Sequence, residues 1–272
     1  MVKSGSRYNE LNGKDWLQYS FSIWRDIRKN DEEKQLKHPA MFPVQLAARI
    51  IEIFSKKKDL VLDPFMGAGS TILAAYEKQR MGIGVELSKQ YCLIAEKRMK
   101  NLRELIGKGI MIEPKIHNMD ARMLGKLISP NSIDMCLTSP PYWDILNMKR
   151  SADGKKKVNY SSQFDDLGNV SIYGKFLDEL IRVFIEVYQV LRQGGHCVIV
   201  LMDIRKKNVF YPFHSDVADR MREIGYSFED IIIWDRQHEY NNMRPLGYPY
   251  VFRVNKVHEY ILIFRKGWEK HG

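Results

Sequence analysis

The sequence predicts an α/β fold: a doubly wound, mainly parallel sheet with helices on both faces. Three observations predict it. Short apolar runs alternate with helical stretches from residue 44 to residue 224, the pattern of parallel strands joined by helical crossovers. Glycine-containing turns sit where a strand gives way to a helix, the place where such sheets bind ligands. The last two strands, 231–235 and 258–264, have no helix between them, which predicts an antiparallel hairpin at one edge.

The elements follow in order. Trp16, Tyr19, Ile23 and Ile27 recur at roughly helical spacing, so a helix is expected over 15–28, inside an N-terminal helical extension covering 1–36. Pro39 and Pro43 bracket a turn, and Leu46, Ile50, Ile53 and Phe54 then mark a helix over 44–54. Next come a strand at 59–63, a helix at 70–79, a strand at 81–86 and a long helix at 88–105. Strands are expected at 114–118 and 133–138. The helix over 173–191 is strongly patterned, with Gly194 and Gly195 as its expected stop. A fifth strand at 196–202, a helix at 214–224 and the closing hairpin complete one domain over 1–272.

Composition narrows the function. Lysine and arginine number 43 against 33 acidic residues, a net charge of +10. That excess favours a polyanionic partner held through phosphate contacts; a generally basic soluble protein is the other reading. No apolar run is long enough to span a bilayer, and Met1 to Asn12 lacks the apolar core of a secretory signal. The expectation is a cytoplasmic protein with no membrane partner. Cys92, Cys136 and Cys197 are far apart, with no metal or redox spacing. They read as core thiols, and no metal site is expected.

Two segments carry chemistry. Asp63, Pro64, Phe65, Met66, Gly67, Ala68, Gly69, Ser70 and Thr71 leave a strand and enter a helix. Gly67 and Gly69 let the backbone approach a ligand closely. The next strand ends in Glu86, followed by Leu87; a carboxylate there can accept from both hydroxyls of a ribose. The three-glycine dinucleotide fingerprint and a phosphate-binding Gly-Lys-Ser/Thr are both missing. A ribose site without a phosphate cradle suits S-adenosylmethionine (SAM). Asp120, next to Ala121, either accepts from the adenine amine or caps a helix. The second segment is Thr138-Ser139-Pro140-Pro141-Tyr142-Trp143, after the 133–138 strand. Consecutive prolines stiffen that turn and fix the directions of a carbonyl and a side chain.

Together these motifs resemble the amino-methyltransferases that act on DNA bases. Asp63 to Gly69 is similar to their cofactor motif, and Ser139-Pro140-Pro141-Tyr142 to their catalytic motif. His38, Pro39 and Phe42 lie in a segment resembling the one that closes over the methionine end of SAM, and residues 191–195 resemble the turn before the fifth strand of many SAM enzymes. The match runs from about Lys37 to Lys266. The resemblance implies a seven-stranded Rossmann-like methyltransferase sheet and SAM as cofactor. It also implies direct methyl transfer to a flipped base held by Ser139 and the Pro140 carbonyl, with Tyr142 stacked on it. Trp143 either joins the stack or packs beneath the loop.

Members with this serine motif mostly methylate N4 of cytosine, which makes a cytosine-N4 DNA enzyme the leading expectation. An RNA cytosine-N4 enzyme, an adenine-N6 enzyme and a non-catalytic SAM-binding subunit remain open. Two loops are expected to bind substrate: 144–170 with Lys149 and Arg150, and 236–256 with Arg236, Arg244 and Tyr248. Arg205 to Asn208 is a third candidate. Two features depart from the family pattern: no large target-recognition region is evident, and the cofactor motif precedes the catalytic one. The chain is expected to act as a monomer or homodimer.

Overall fold

The computed structural model describes residues 7–36, 41–106, 113–143, 167–240 and 245–267. His38, Pro39, Lys149, Arg150 and Arg244, with most of the 144–170 loop, lie outside the described residues. The chain runs α1 (Gly13–Tyr19), β1 (Ile23–Trp24), α2 (Asp31–Gln35), α3 (Val44–Phe54), β2 (Leu60–Asp63), α4 (Ser70–Glu77), β3 (Met81–Glu86), α5 (Lys89–Ile106), β4 (Lys115–Asn118) and β5 (Ile133–Thr138). It continues through α6 (Tyr173–Val190), β6 (Leu191–Leu201), β7 (Ile204–Lys206), β8 (Val209–Tyr211), α7 (Phe213–Ile224), β9 (Tyr226–Asp235) and β10 (His258–Lys266).

Among the described residues eight strands form one sheet in the order β1-β9-β10-β6-β5-β2-β3-β4. Its pairings are parallel except at β10, which runs antiparallel to both β6 and β9. The period-2 alternation of a strand feeds two cores. In β5, Cys136 faces a cluster with Phe176, Phe184, Val187, Phe213 and Met221 of α6 and α7. Its neighbours Met135 and Leu137 face the opposite cluster, with Trp24, Leu46, Ile50 and Ile51. Helices α4 and α5 join through Ile72, Leu73, Cys92, Ala95 and Met99. All three cysteines are buried and free. No helix among the described residues is long and apolar enough to cross a membrane.

Three sequence expectations change. The helix expected over 15–28 stops at Tyr19, and Ile23–Trp24 becomes a parallel edge strand on β9. The edge supplies the backbone bond Ile233 N to Ser22 O, 2.8 Å, and the core takes Trp24 and Ile27; tertiary packing overrides local spacing. The sheet therefore has eight strands where seven were expected, and the β9–β10 hairpin lies one strand in from the edge. Helix α6 stops at Val190, before the glycines. Gly194 instead turns with φ of 73°, and a Cβ on Gly195 would meet the carbonyl oxygens of Arg192 and Asp134 at 2.9 Å. The glycines admit a close backbone approach at the start of β6.

Candidate active site

Strands β2 and β5 are parallel neighbours, with Val61 opposite Met135 and Leu62 opposite Cys136. Their carboxyl ends, Asp63 and Thr138, therefore lie side by side, and the Thr138 hydroxyl donates to Oδ1 of Asp63 at 2.6 Å. The glycine loop leaves one tip and the Ser139–Tyr142 turn leaves the other. The topology thus brings the two sequence motifs to one end of the sheet, where open α/β sheets bind ligands.

Asp63 organises this junction from inside. Its side chain is buried and also accepts from Thr71 Oγ1 at 2.6 Å and from the Phe65 amide at 3.0 Å. Burial outweighs those three donors and pushes its carboxyl up to about 6. Pro64 is buried, and Phe65 packs edge-on to Phe184. The loop then turns through Gly67 and Gly69, with φ of 53° and 88°. At Gly69 a Cβ would meet that of Ala95 at 2.9 Å, so the helix start cannot carry a larger residue without moving α5.

Glu86 closes the loop from the next strand. Its Oε2 accepts from the Gly67 amide at 2.8 Å and its Oε1 from the Ser88 amide at 2.7 Å. These bonds fix the plane of a buried carboxylate, which offers about four acceptor sites in all. The Ser70 hydroxyl at the start of α4 is buried without a hydrogen-bond partner, a polar group that a bound ligand would satisfy. An oriented carboxylate, an orphaned hydroxyl and a glycine turn fit a ribose-bearing ligand.

Leu87 is half-buried, and its carbonyl accepts from Asn118 Nδ2 at 2.8 Å. Phe42 is buried in the core with Leu46, Ile50 and Ile51 of α3. Asp120 caps a 3-10 turn over Ala121–Lys126 and accepts from the Arg122 amide at 2.8 Å. The Arg122 guanidinium also pairs with it at 2.6 Å, and Ala121 is buried.

In the Ser139–Tyr142 turn Ser139 is half-buried, Pro140 buried, and Pro141 and Tyr142 partly covered. The Tyr142 hydroxyl lies 3.4 Å from Ser139 Oγ and donates to Oε2 of Glu259 at 3.0 Å. Burial first, and the Glu259 carboxylate second, hold the Tyr142 phenol well above its ordinary value, so it stays protonated at neutral pH. Of the two readings for Trp143, packing beneath the loop is the one observed. It is 4% exposed, and its indole donates to the Val170 carbonyl at 2.7 Å. Tyr173 and Tyr211 meet it edge-on, and Lys206 Nζ sits 3.8 Å over its ring. Its φ of 49° is left-handed, a strain of about 1–3 kcal/mol that these contacts hold in place.

The proposed substrate residues divide. Arg236, which opens the 236–256 loop, pairs with Glu259 and with Glu239 at 2.6 Å. Tyr248 is outside, 77% exposed, in a run with Tyr250 and Phe252. In the Arg205–Asn208 segment, Arg205 and Lys206 belong to β7 and Lys207 and Asn208 turn the chain into β8. That hairpin and the loop touch: Arg253 donates to the Lys207 carbonyl at 3.2 Å, and Lys256 Nζ lies 4.8 Å over Phe210.

Sequence reasoning missed Glu259, whose signal is a lone acid entering an apolar strand. It also missed the buried cluster in which Asp203 Oδ1 meets His214 Nδ1 at 2.6 Å while Oδ2 accepts from Tyr260 at 3.2 Å. Its members lie 11 and 57 residues apart and have no local signature.

Comparisons agree with this geometry. A family profile described as DNA methylase matches residues 3–97 and 133–271. An orphan methyltransferase, M.BamHII of Bacillus amyloliquefaciens, is 40% identical over 107 residues, 36% of this chain and 40% of that protein. A type II methyltransferase, M.BglI of Bacillus subtilis, is 37% identical over 95 residues, 34% of this chain and 26% of that protein. The matched region thus spans less than half the length of these curated relatives. A solved SAM-dependent methyltransferase from Methanosarcina mazei is similar in fold, with a TM-score of 0.52 at 12% identity over 81% of this chain and 98% of that one. With the profile covering most of its length and both motifs meeting at one sheet end, the chain belongs to the DNA methylase family.

Proposed function

We propose that the chain methylates the exocyclic N4 amine of cytosine in DNA, by direct in-line transfer to a flipped base. The observation that carries this reading is the Thr138–Asp63 junction, which holds the glycine loop and the Ser139–Tyr142 turn at one sheet end. The cofactor is S-adenosyl-L-methionine, which supplies an electrophilic methyl on sulfonium. Glu86 would hold its ribose, Ser70 and the Gly67–Gly69 turn would line it, and no phosphate cradle is needed.

The chain's own residues then handle the base. A cytosine amine is a weak nucleophile because its lone pair is delocalised into the ring. Ser139 Oγ and the Pro140 carbonyl accept its two N–H bonds and favour a pyramidal, nucleophilic nitrogen. Tyr142 offers a ring face to the extruded base. Cytosine is favoured over adenine by the resemblance of Ser139-Pro140-Pro141-Tyr142 to the motif carried mostly by cytosine-N4 enzymes. The basic hairpin and the aromatic 245–256 loop offer phosphate contacts and stacking surfaces.

The test is mass spectrometry of nucleosides after incubation with labelled SAM and with DNA or RNA separately. N4-methyldeoxycytidine is expected. N6-methyldeoxyadenosine would move the target to adenine, N4-methylcytidine would move the polymer to RNA, and no label in either would overturn the reading.

A further inference from the structure

We infer that Ser139, Tyr142 and Glu259 form a proton relay that takes up the proton the target amine must lose. The inference rests on amino-methyl transfer occurring at the Ser139–Tyr142 turn.

The geometry is a chain of hydroxyls ending in a buried acid. Ser139 Oγ lies 3.4 Å from the Tyr142 hydroxyl, and that hydroxyl donates to Glu259 Oε2 at 3.0 Å. The first link is longer than a usual O–H···O bond, as catalytic links often are before substrate binds. Glu259 is 4% exposed on β10, and burying a carboxylate costs several kcal/mol unless it is well paired. Arg236 pairs with the other oxygen, Oε1. Arg236 also pairs with Glu239, so it has a second anchor to the loop. The bond from Tyr142 is what links this acid to the catalytic turn.

The chemistry needs such an acceptor. The amine starts with two N–H bonds and ends with one. As its nitrogen forms the N–C bond, the S–C bond breaks and leaves its electron pair on sulfur. One N–H bond breaks with its pair staying on nitrogen, and the proton passes to Ser139 Oγ. Ser139 releases its own proton to the Tyr142 oxygen, and Tyr142 releases its proton to Glu259 Oε2. Both hydroxyls end neutral, and Glu259 ends as a carboxylic acid that returns its proton to water after turnover. Withdrawing the proton as the methyl arrives frees the lone pair that ring delocalisation holds back. Glu259 acts through Tyr142 and is a positioning residue for it as well as the final proton holder.

The test uses single-turnover methyl transfer by the full chain on duplex DNA that the parent methylates. Glu259→Gln keeps an acceptor for Tyr142 but takes no proton; Tyr142→Phe removes the middle hydroxyl and leaves every charge in place. Each is expected to slow transfer by about tenfold or more, the low end of general-base effects being near a hundredfold. Duplex and SAM affinities are expected to stay within about twofold. The double variant is expected to be no slower than the slower single, because one path is cut twice. The parent's solvent deuterium isotope effect is expected to fall in both. In the free protein, the carbon resonance of the labelled Tyr142 phenol is expected to shift in Glu259→Gln.

Parent-like rates in Tyr142→Phe, or losses that multiply in the double variant, would overturn the relay. So would an unchanged isotope effect with the loss confined to melting temperature, which would make Glu259 a loop anchor alone. If the parent methylates no nucleic acid, the proposed function fails instead, and the two failures are told apart by the parent alone.

Discussion

Thr138 donates its hydroxyl to Oδ1 of Asp63 at 2.6 Å, tying the tip of β5 to the tip of β2. The carboxyl so held is pushed up to about 6 from an ordinary 3.8. A carboxyl raised in the fold binds its proton more tightly than in the unfolded chain. Its contribution to stability is therefore lost as pH rises from about 4 through 6, on the order of 3 kcal/mol in total. Asp63→Asn removes that titration. The stability of the variant relative to its parent is expected to improve by roughly 1 kcal/mol between pH 5 and pH 7, read by urea unfolding. A difference independent of pH would refute the shift.

Ser139→Ala is expected to lower turnover by about a hundredfold, in line with loss of one preorganised hydrogen-bonding group. SAM affinity, read by calorimetry, is expected to stay within about twofold of the parent, because the proposed role of the serine is to hold the base. A parallel fall in both would place Ser139 in the cofactor cradle.

Glu86→Ala strands two buried amides, those of Gly67 and Ser88. Each buried donor left unpaired costs about 1–3 kcal/mol, so the variant is expected to melt several degrees lower. Its SAM affinity is expected to drop about tenfold or more from loss of a charge-assisted ribose contact. Calorimetric affinity equal to the parent's would remove Glu86 from the ribose site.

Phe252 is 94% exposed and stands beside Tyr250 at 90%. Phe252→Ala is expected to leave the melting temperature unchanged and to weaken duplex binding about fivefold or more, since a base–aromatic stack contributes about 1–3 kcal/mol. Fluorescence anisotropy at two salt concentrations checks this. The salt slope is expected to match the parent's, because no phosphate contact is lost.

Trp143→Ala removes a buried indole and is expected to cost about 3–5 kcal/mol of stability. Denaturant unfolding reads the loss directly. A change below about 1 kcal/mol would mean that the ring is not the plug its contacts describe.

The central strands and both motifs were legible because their signals are local. An apolar run at 133–138 and a Pro-Pro turn specify each other's places without help from distant residues. Ile23–Trp24 was illegible because its spacing suits a helix, and only the open edge of β9 makes a strand preferable. Gly194 and Gly195 were read as a helix stop, although their requirement comes from the Asp134 carbonyl on a neighbouring strand. Glu259 could not be tied to Tyr142 from sequence, with 117 residues between them. Trp143 left two readings open, and its neighbours Val170, Tyr173 and Tyr211 decided between them.

Arg98 of α5 joins the glycine loop to the N-terminal helices. Its buried guanidinium donates to the Ala68 carbonyl at 2.8 Å inside the glycine loop and pairs with Glu32 of α2 at 2.9 Å. Glu33 beside it accepts from the Val44 amide at 2.6 Å, where α3 begins. One side chain thus latches the N-terminal segment onto the loop that shapes the pocket. Where that contact couples the two, firming the loop firms the first helices and firming the helices firms the loop. Cofactor loading would then register at a distance, as slower protease cutting near residue 30.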